Sequence, residues 1–305
     1  MSSEVLLTVV RIRRGRHACL SLCLVVATAL AYEIVTSGAV VAAPQWRLVR
    51  LIRTTPFANR AVSMKDAEGS AYVPRDHSLW LADDFGRRIY EVNPSTGALK
   101  RVIGQKKLAS ARRLGGGVRA GIDRTRDLES IAYDRARDAL YVFSGPCCSS
   151  SVKPTAFRLT RTRAGRLRVE SFQPLPRSAN YTAAAWNAAD HMIYVGDGRD
   201  LRSYRYPAND PGRVFNIPNL SGITGMSFSP NGANLFVTTT AEQLRRVRWA
   251  RKELVAGWVL ELGPYGVGDA RAVELIDRRY YVLDGNPARP EGDPRRYAVY
   301  VIRTS

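Results

Sequence analysis

Asp66-Ala-Glu-Gly-Ser-Ala-Tyr72, followed after a short polar turn by Leu79-Trp-Leu-Ala-Asp-Asp-Phe-Gly86, is the stretch on which the fold turns. A small-residue segment meets an apolar segment that ends in Asp and Gly, the pattern of two strands joined by a turn. The pattern recurs. Glu129-Ser-Ile-Ala-Tyr-Asp134 is followed by Leu140-Tyr-Val-Phe-Ser-Gly145, and Ala183-Ala-Ala-Trp-Asn187 by Ile193-Tyr-Val-Gly-Asp-Gly198. Ile223-Thr-Gly-Met-Ser-Phe-Ser229 precedes Leu235-Phe-Val-Thr238, and a weaker copy pairs Ala270-Arg-Ala-Val-Glu274 with Tyr280-Tyr-Val-Leu-Asp-Gly285. Five copies over roughly 240 residues give a period in the forties to fifties, the range of repeats that stack or close into rings.

Two further alternating segments follow each pair. In the first copy they are Arg88-Ile-Tyr-Glu-Val92 and Ala98-Leu-Lys-Arg-Val-Ile103, joined by Asn93-Pro-Ser-Thr-Gly97, where Pro and Gly supply the turn. The unit is a four-stranded antiparallel meander, and the chain reads as an all-β propeller of five four-stranded blades. A sixth, degenerate blade near 105–127 is the alternative to reading Gln105–Arg126, rich in Gly and Arg, as a loop. No segment shows sustained helical periodicity. The last copy has three strands of its own, ending at Tyr297-Ala-Val-Tyr-Val-Ile302, and a lone strand, Trp46-Arg-Leu-Val-Arg-Leu-Ile52, precedes the first. That lone strand is expected to complete the last blade and cover its open edge.

The chain has 305 residues, 45% hydrophobic and 24% charged, which excludes a disordered tail or a polytopic membrane protein. Three histidines, His17, His77 and His191, are too few for chemistry built on His clusters, and the HExxH zinc helix is absent. Arg11, Arg13, Arg14 and Arg16 precede an uncharged run from Ala18 to Tyr32, then Glu33 and a second small apolar run to Ala43. Residues 1–43 read as a signal peptide, or as an uncleaved N-terminal membrane anchor, and residues 44–305 as the propeller domain. Either way the propeller is exported, secreted or held outside the cytoplasm by its N-terminus. Loss of 1–43, with four arginines and two acids, takes the net charge from +19 to +17. A surface of that sign suits an anionic envelope polymer or a small anionic ligand. Nucleic acid is not expected, membrane contact is confined to the N-terminal segment, and the protein is read as a monomer. Cys147 and Cys148, adjacent, form a vicinal disulfide or remain two free thiols.

In a propeller the heads of the innermost strands and the ends of the second strands open on one face. That collects acids and amides. Glu68, Glu129, Asn180 and Asp269 are candidate ligands of a hard cation such as Ca²⁺, with Asp66, Asp83, Asp84, Asp127, Asp197 and Asp284 behind them. Close like charges need compensation, which a cation supplies; otherwise these acids cap strand-end turns and never meet. His77 and His191 fall in turns on the opposite face. Trp80, Tyr133, Tyr141, Trp186, Tyr194, Phe228, Phe236 and Tyr281 are assigned to the core between blades.

The run Asp66-Ala-Glu-Gly-Ser-Ala-Tyr72, with Leu79-Trp-Leu-Ala-Asp-Asp-Phe-Gly86 and Ile89-Tyr-Glu-Val92, resembles the first blade of the esterase-like phytase family of secreted bacterial propellers. Asp127-Leu-Glu-Ser-Ile-Ala-Tyr133 resembles its second acid-glutamate-glycine strand, with Ser130 in place of Gly. The resemblance covers 66–145 and extends more broadly to NHL-type and gluconolactonase-like propellers. It implies a metal at the channel mouth and ester, lactone or phosphoester hydrolysis, with Glu68 or Glu129 activating water. Thr224 stands where the family places an Asn or Asp, and no His lies near the mouth. Two functions remain: a binding module at the cell envelope with a structural cation, or a Ca²⁺-dependent hydrolase.

Overall fold

The computed structural model describes residues 45–53, 64–146, 152–175, 180–206, 212–286, 288–290, 293 and 295–304. All lie within one compact unit, Pro44–Ser305. The expectations for residues 1–43 and for Cys147 and Cys148 lie outside the described residues.

The repeats fold into five sheets, each built on four antiparallel strands. The first blade is β2 (Ala67–Val73), β3 (Ser78–Asp83), β4 (Arg88–Val92) and β5 (Leu99–Gly104). The second has β7 (Leu128–Asp134), β8 (Ala139–Ser144), β9 (Thr155–Arg161) and β10 (Leu167–Pro174). The third is β11 (Ala183–Asn187), β12 (Met192–Asp197), β13 (Asp200–Tyr204) and β14 (Val214–Asn216). The fourth is β15 (Ile223–Phe228), β16 (Asn234–Thr239), β17 (Gln243–Arg248) and β18 (Glu253–Glu261). The fifth is β19 (Ala270–Ile276), β20 (Arg279–Asp284), β21 (Val299–Thr304) and, from the other end of the chain, β1 (Trp46–Ile52). Each innermost strand packs against the next, β2 on β7, β7 on β11, β11 on β15, β15 on β19, and β19 back on β2, so the ring closes.

Closure rests on β1, as expected. It runs antiparallel to β21 from Trp46 opposite Thr304 to Ile52 opposite Val299. The ladder hydrogen bonds of an edge strand are thereby satisfied within the chain.

The segment from 105 to 127 is neither a sixth blade nor a bare loop. A short helix α1 (Gln105–Ala109) and a two-residue strand β6 (Arg112–Arg113) occupy it, and β6 lies parallel to Ser171–Phe172 on the outer edge of the second blade. Leu108, Ala111 and Ala120 are buried there against the first two blades. One turn of helix is too short to leave a period in the sequence.

Among the described residues the hydrophobic core is five wedges, one in each gap between neighbouring blades. Register explains the aromatic repeat. Trp80, Tyr141, Tyr194, Phe236 and Tyr281 stand opposite Ala71, Ala132, Ala185, Ser227 and Glu274, the same rung in every blade. All five are buried, Trp80 completely. Truncating one such side chain to Ala costs about 3–5 kcal/mol. Tyr133, Trp186 and Phe228 belong to a different rung. They sit on the innermost strands and line a cavity instead of joining the core alone.

Candidate functional site

The same irregularity begins four of the five innermost strands. The register with the second strand slips between Ala67 and Gly69, Leu128 and Ser130, Ile223 and Gly225, and Ala270 and Ala272. A bulge of this kind adds a residue and re-aims its side chain. The extra residues are Glu68, Glu129, Thr224 and Arg271, with Thr182 at the matching place in the third blade. Five blades therefore contribute one polar residue each to a ring at the channel mouth. Two residues earlier in each blade stand Asp66, Asp127, Asn180, Gly222 and Asp269 as an outer ring. Four of these accept equivalent backbone bonds: Asp84 to Asp66, Gly145 to Asp127, Thr240 to Gly222 and Gly285 to Asp269, at 2.7–2.9 Å.

Hydroxyls stitch the ring. Ser130 donates to the Tyr181 carbonyl at 2.6 Å, Thr182 to Ile223 at 2.8 Å, and Thr224 to Ala270 at 2.5 Å, each reaching the next blade. Below them a cavity of about 10 Å³ holds space for about one water, and the buried Ser70 hydroxyl facing it has no partner among the described residues.

Arg271 is the residue that sequence reasoning passed over. Its guanidinium holds both oxygens of Glu68 at 3.0 Å, and its Nε donates to Asp269 at 2.8 Å. It supplies in cis part of the compensation that the clustered acids demand. The signal was present: Arg271 follows Asp269 by two, as Glu68 follows Asp66 and Glu129 follows Asp127.

The expected acids divide by role. Asp83 is fully buried and accepts the backbone N–H groups of Lys65, Asp66 and Gly86, together with the Tyr90 hydroxyl at 2.9 Å. Asp284 does the same work in the fifth blade, accepting from Gly268, Asp269 and Asn286 and pairing with Arg289 at 3.1 Å. Both hold the loops that carry the outer ring. Asp197 stands at the corresponding end of the third blade, and Asp84 accepts from the Leu128 N–H at 3.0 Å, bridging the first two blades.

The remaining acids meet at the mouth. Burial and then the neighbouring Asp127 raise Glu129 to about 8, against a hydrogen bond from Asn180. Burial, Asp127 and Asp66 raise Asp84 to about 7. Burial pushes Glu68 well up, with Arg271 opposing and Glu129 reinforcing. Asp66 is raised in the same way, by burial and by Asp83 and Asp269. A methyl placed on Gly145 would lie 2.2 Å from Asp127 Oδ2 and 2.3 Å from Asn180 Oδ1, so these two oxygens converge over the bare glycine. Glu129 hydrogen-bonds to both residues. The donors are hard oxygens, suited to Ca²⁺ in kind, with water or ligand left to complete the shell. Among the described residues no three Asp, Glu, His or Cys side chains gather as a metal-holding group.

His77 and His191 lie on the turns at the opposite end, with φ of 45° and 57°. His77 is tied to the Tyr72 hydroxyl and to Ser95, each at 3.0 Å.

No family model matches the chain, and no curated protein sequence does. Solved structures do. The PQQ-bound aldose sugar dehydrogenase of Streptomyces coelicolor superposes with a TM-score of 0.53 at 12% identity, over 86% of this chain and 100% of that one. The glutaminyl cyclase of Myxococcus xanthus gives 0.57 at 9% identity, over 85% of this chain and 95% of that one. At such identities the likeness is one of architecture. The chain is a five-bladed β-propeller, and its nearest shared feature with these enzymes is that fold.

Proposed function

We propose that this protein is an exported binding propeller that holds a hard divalent cation, Ca²⁺ by donor type, at its channel mouth, and through it an anionic ligand of the cell envelope. One observation carries the reading: Asp127 and Asn180 converge over Gly145, and Glu129 hydrogen-bonds to both. Six carboxyl groups, of Asp66, Glu68, Asp84, Asp127, Glu129 and Asp269, share that mouth with one guanidinium in a protein of strongly positive net charge. The mouth thus favours a cation while the surrounding surface favours an anion, and a bound ion joins the two. When bound, the ion supplies a fixed positive charge for a phosphate or carboxylate oxygen. The basic patch and apolar runs before residue 44 support export.

Ca²⁺ titration of the purified protein by calorimetry tests this. One ion per chain is expected, with release of protons from the crowded carboxyls. Gly145→Ala, which drives Asp127 and Asn180 apart, and Asp127→Asn should each weaken binding at least tenfold. Absence of binding at millimolar Ca²⁺ overturns the reading.

A second reading, hydrolysis of an ester, lactone or phosphoester, is favoured by the proximity of Glu68 and Glu129, close enough for one to raise the other. It agrees with the resemblance of 66–145 to the esterase-like phytase propellers. In it Glu129 or Glu68 moves a proton to or from water. Turnover of a panel of nitrophenyl esters and phosphates, lost in Glu68→Gln with Glu129→Gln, decides between the two.

A further inference from the structure

The opposite end of the channel carries a second cavity, of about 50 Å³. It is built by one rung of the innermost strands. Tyr72, Tyr133 and Phe228 follow the bulge residues Glu68, Glu129 and Thr224 by four, and Trp186 follows Thr182 by four. All four aromatics line the cavity. One rung above, the first three blades present Ala71, Ala132 and Ala185, and the fourth presents Ser227. The fifth blade places an ionisable group on this rung, the carboxyl of Glu274.

Glu274 receives the Ser227 hydroxyl at 3.4 Å and the Tyr72 backbone N–H. Neither neighbour is charged. Arg135, exposed at the head of the hairpin after β7, lines the same cavity, and its charge acts on Glu274 without an ion-pair contact among the described residues. The cavity therefore has a carboxyl within, a guanidinium at its rim and aromatic faces between them. Aromatic faces beside a carboxylate favour an ammonium group. A rim guanidinium favours a carboxylate.

We propose that this cavity binds a small zwitterion of the amino-acid type, its ammonium group on Glu274 among the aromatic rings and its carboxylate on Arg135. The three alanines leave the space, and the single acid sets the orientation. Burial raises Glu274 to about 8, with the Ser227 hydroxyl, the charge of Arg135 and the Tyr72 N–H opposing, and a bound ammonium would ionise it. The site contains none of the charged residues of the channel mouth, although Ala184 lines both this cavity and the small one below the mouth.

Calorimetric titration of the full chain with glycine, β-alanine and 4-aminobutanoate, and with methylamine and acetate as half-ligands, tests this. At least one zwitterion should bind about tenfold tighter than either half-ligand. Glu274→Gln should weaken every amine-bearing ligand about tenfold or more, and Arg135→Ala should remove the zwitterion's advantage while leaving methylamine unchanged. Trp186→Leu should weaken the amines by a smaller factor, keeping the ammonium arm testable if Glu274→Gln folds poorly. Failure of all five compounds to bind wild-type protein, or binding unaltered in Glu274→Gln and Trp186→Leu, overturns the proposal. Ca²⁺ binding measured in the same variants should be unchanged.

Discussion

Gly225→Ala tests the ring at the point where its blades come closest. A Cβ on Gly225 would sit 2.4 Å from the Ala272 Cα and 2.9 Å from the Arg271 carbonyl oxygen, with Thr238 Oγ1 at 2.6 Å. Two of the three are backbone atoms of the next blade, so no rotamer change relieves the clash. Restoring an ordinary contact of 3.4 Å requires the fourth and fifth blades to part by about 1 Å, across a core wedge that includes Phe236, Val273 and Tyr280. Overpacking of this kind costs about 1–3 kcal/mol, and a rigid backbone neighbour puts it near the top of that range. The unfolded chain returns about 0.4–1 kcal/mol through its lost flexibility. The net of about 2 kcal/mol corresponds to a fall in Tm of about 4–8 °C for a domain of this size. Gly104→Ala is the control, since nothing lies within 4 Å of its Cβ position and its φ is not in the left-handed region. It should leave Tm within about 2 °C. Thermal unfolding followed by circular dichroism reads both. Equal Tm values for the two variants would refute the close approach of the innermost strands.

Other outcomes follow from the same structure. Arg271→Met strips Glu68 and Asp269 of their shared cation and should cost about 2 kcal/mol; adding Glu68→Gln should recover most of that in chemical denaturation, and no recovery would mean the pair is not coupled. Glu274, raised to about 8 from an ordinary value near 4.5, holds its proton longer in the folded protein, so its contribution is greatest below about pH 4.5 and fades as pH rises through about 8. Glu274→Gln should therefore gain stability over wild type between pH 5 and 8.5, by about 2–4 kcal/mol at the upper end, and a pH-independent difference in Tm would contradict this. Truncation after residue 52 should abolish cooperative unfolding and promote aggregation, whereas truncation after residue 43 should not; size-exclusion chromatography and calorimetry compare the two.

The architecture was legible because each blade repeats the same alternation and because two lone ribbons, Trp46–Ile52 and the last strand, had nowhere else to pair. The outer acids were legible as well, since Asp66 and Asp127 precede their strands by a constant spacing. Arg271 was hidden because acids were sought and a basic residue took the matching place. The bulges that aim Glu68, Glu129 and Arg271 inward leave no trace in composition, being differences in pairing. For the same reason the aromatic repeat read as one set, although register separates the buried Trp80 rung from the cavity-lining Trp186 rung. Glu274 looked like an ordinary strand residue, and only its place in the cavity wall singles it out.

The most direct test of the central claim is a crystal of the protein grown with Tb³⁺ or Ca²⁺ and measured for anomalous scattering. The account predicts one strong peak above Gly145, within ligating distance of Asp127, Glu129 and Asn180. A mouth with no peak, or a peak elsewhere with these three side chains still hydrogen-bonded to one another, would contradict it.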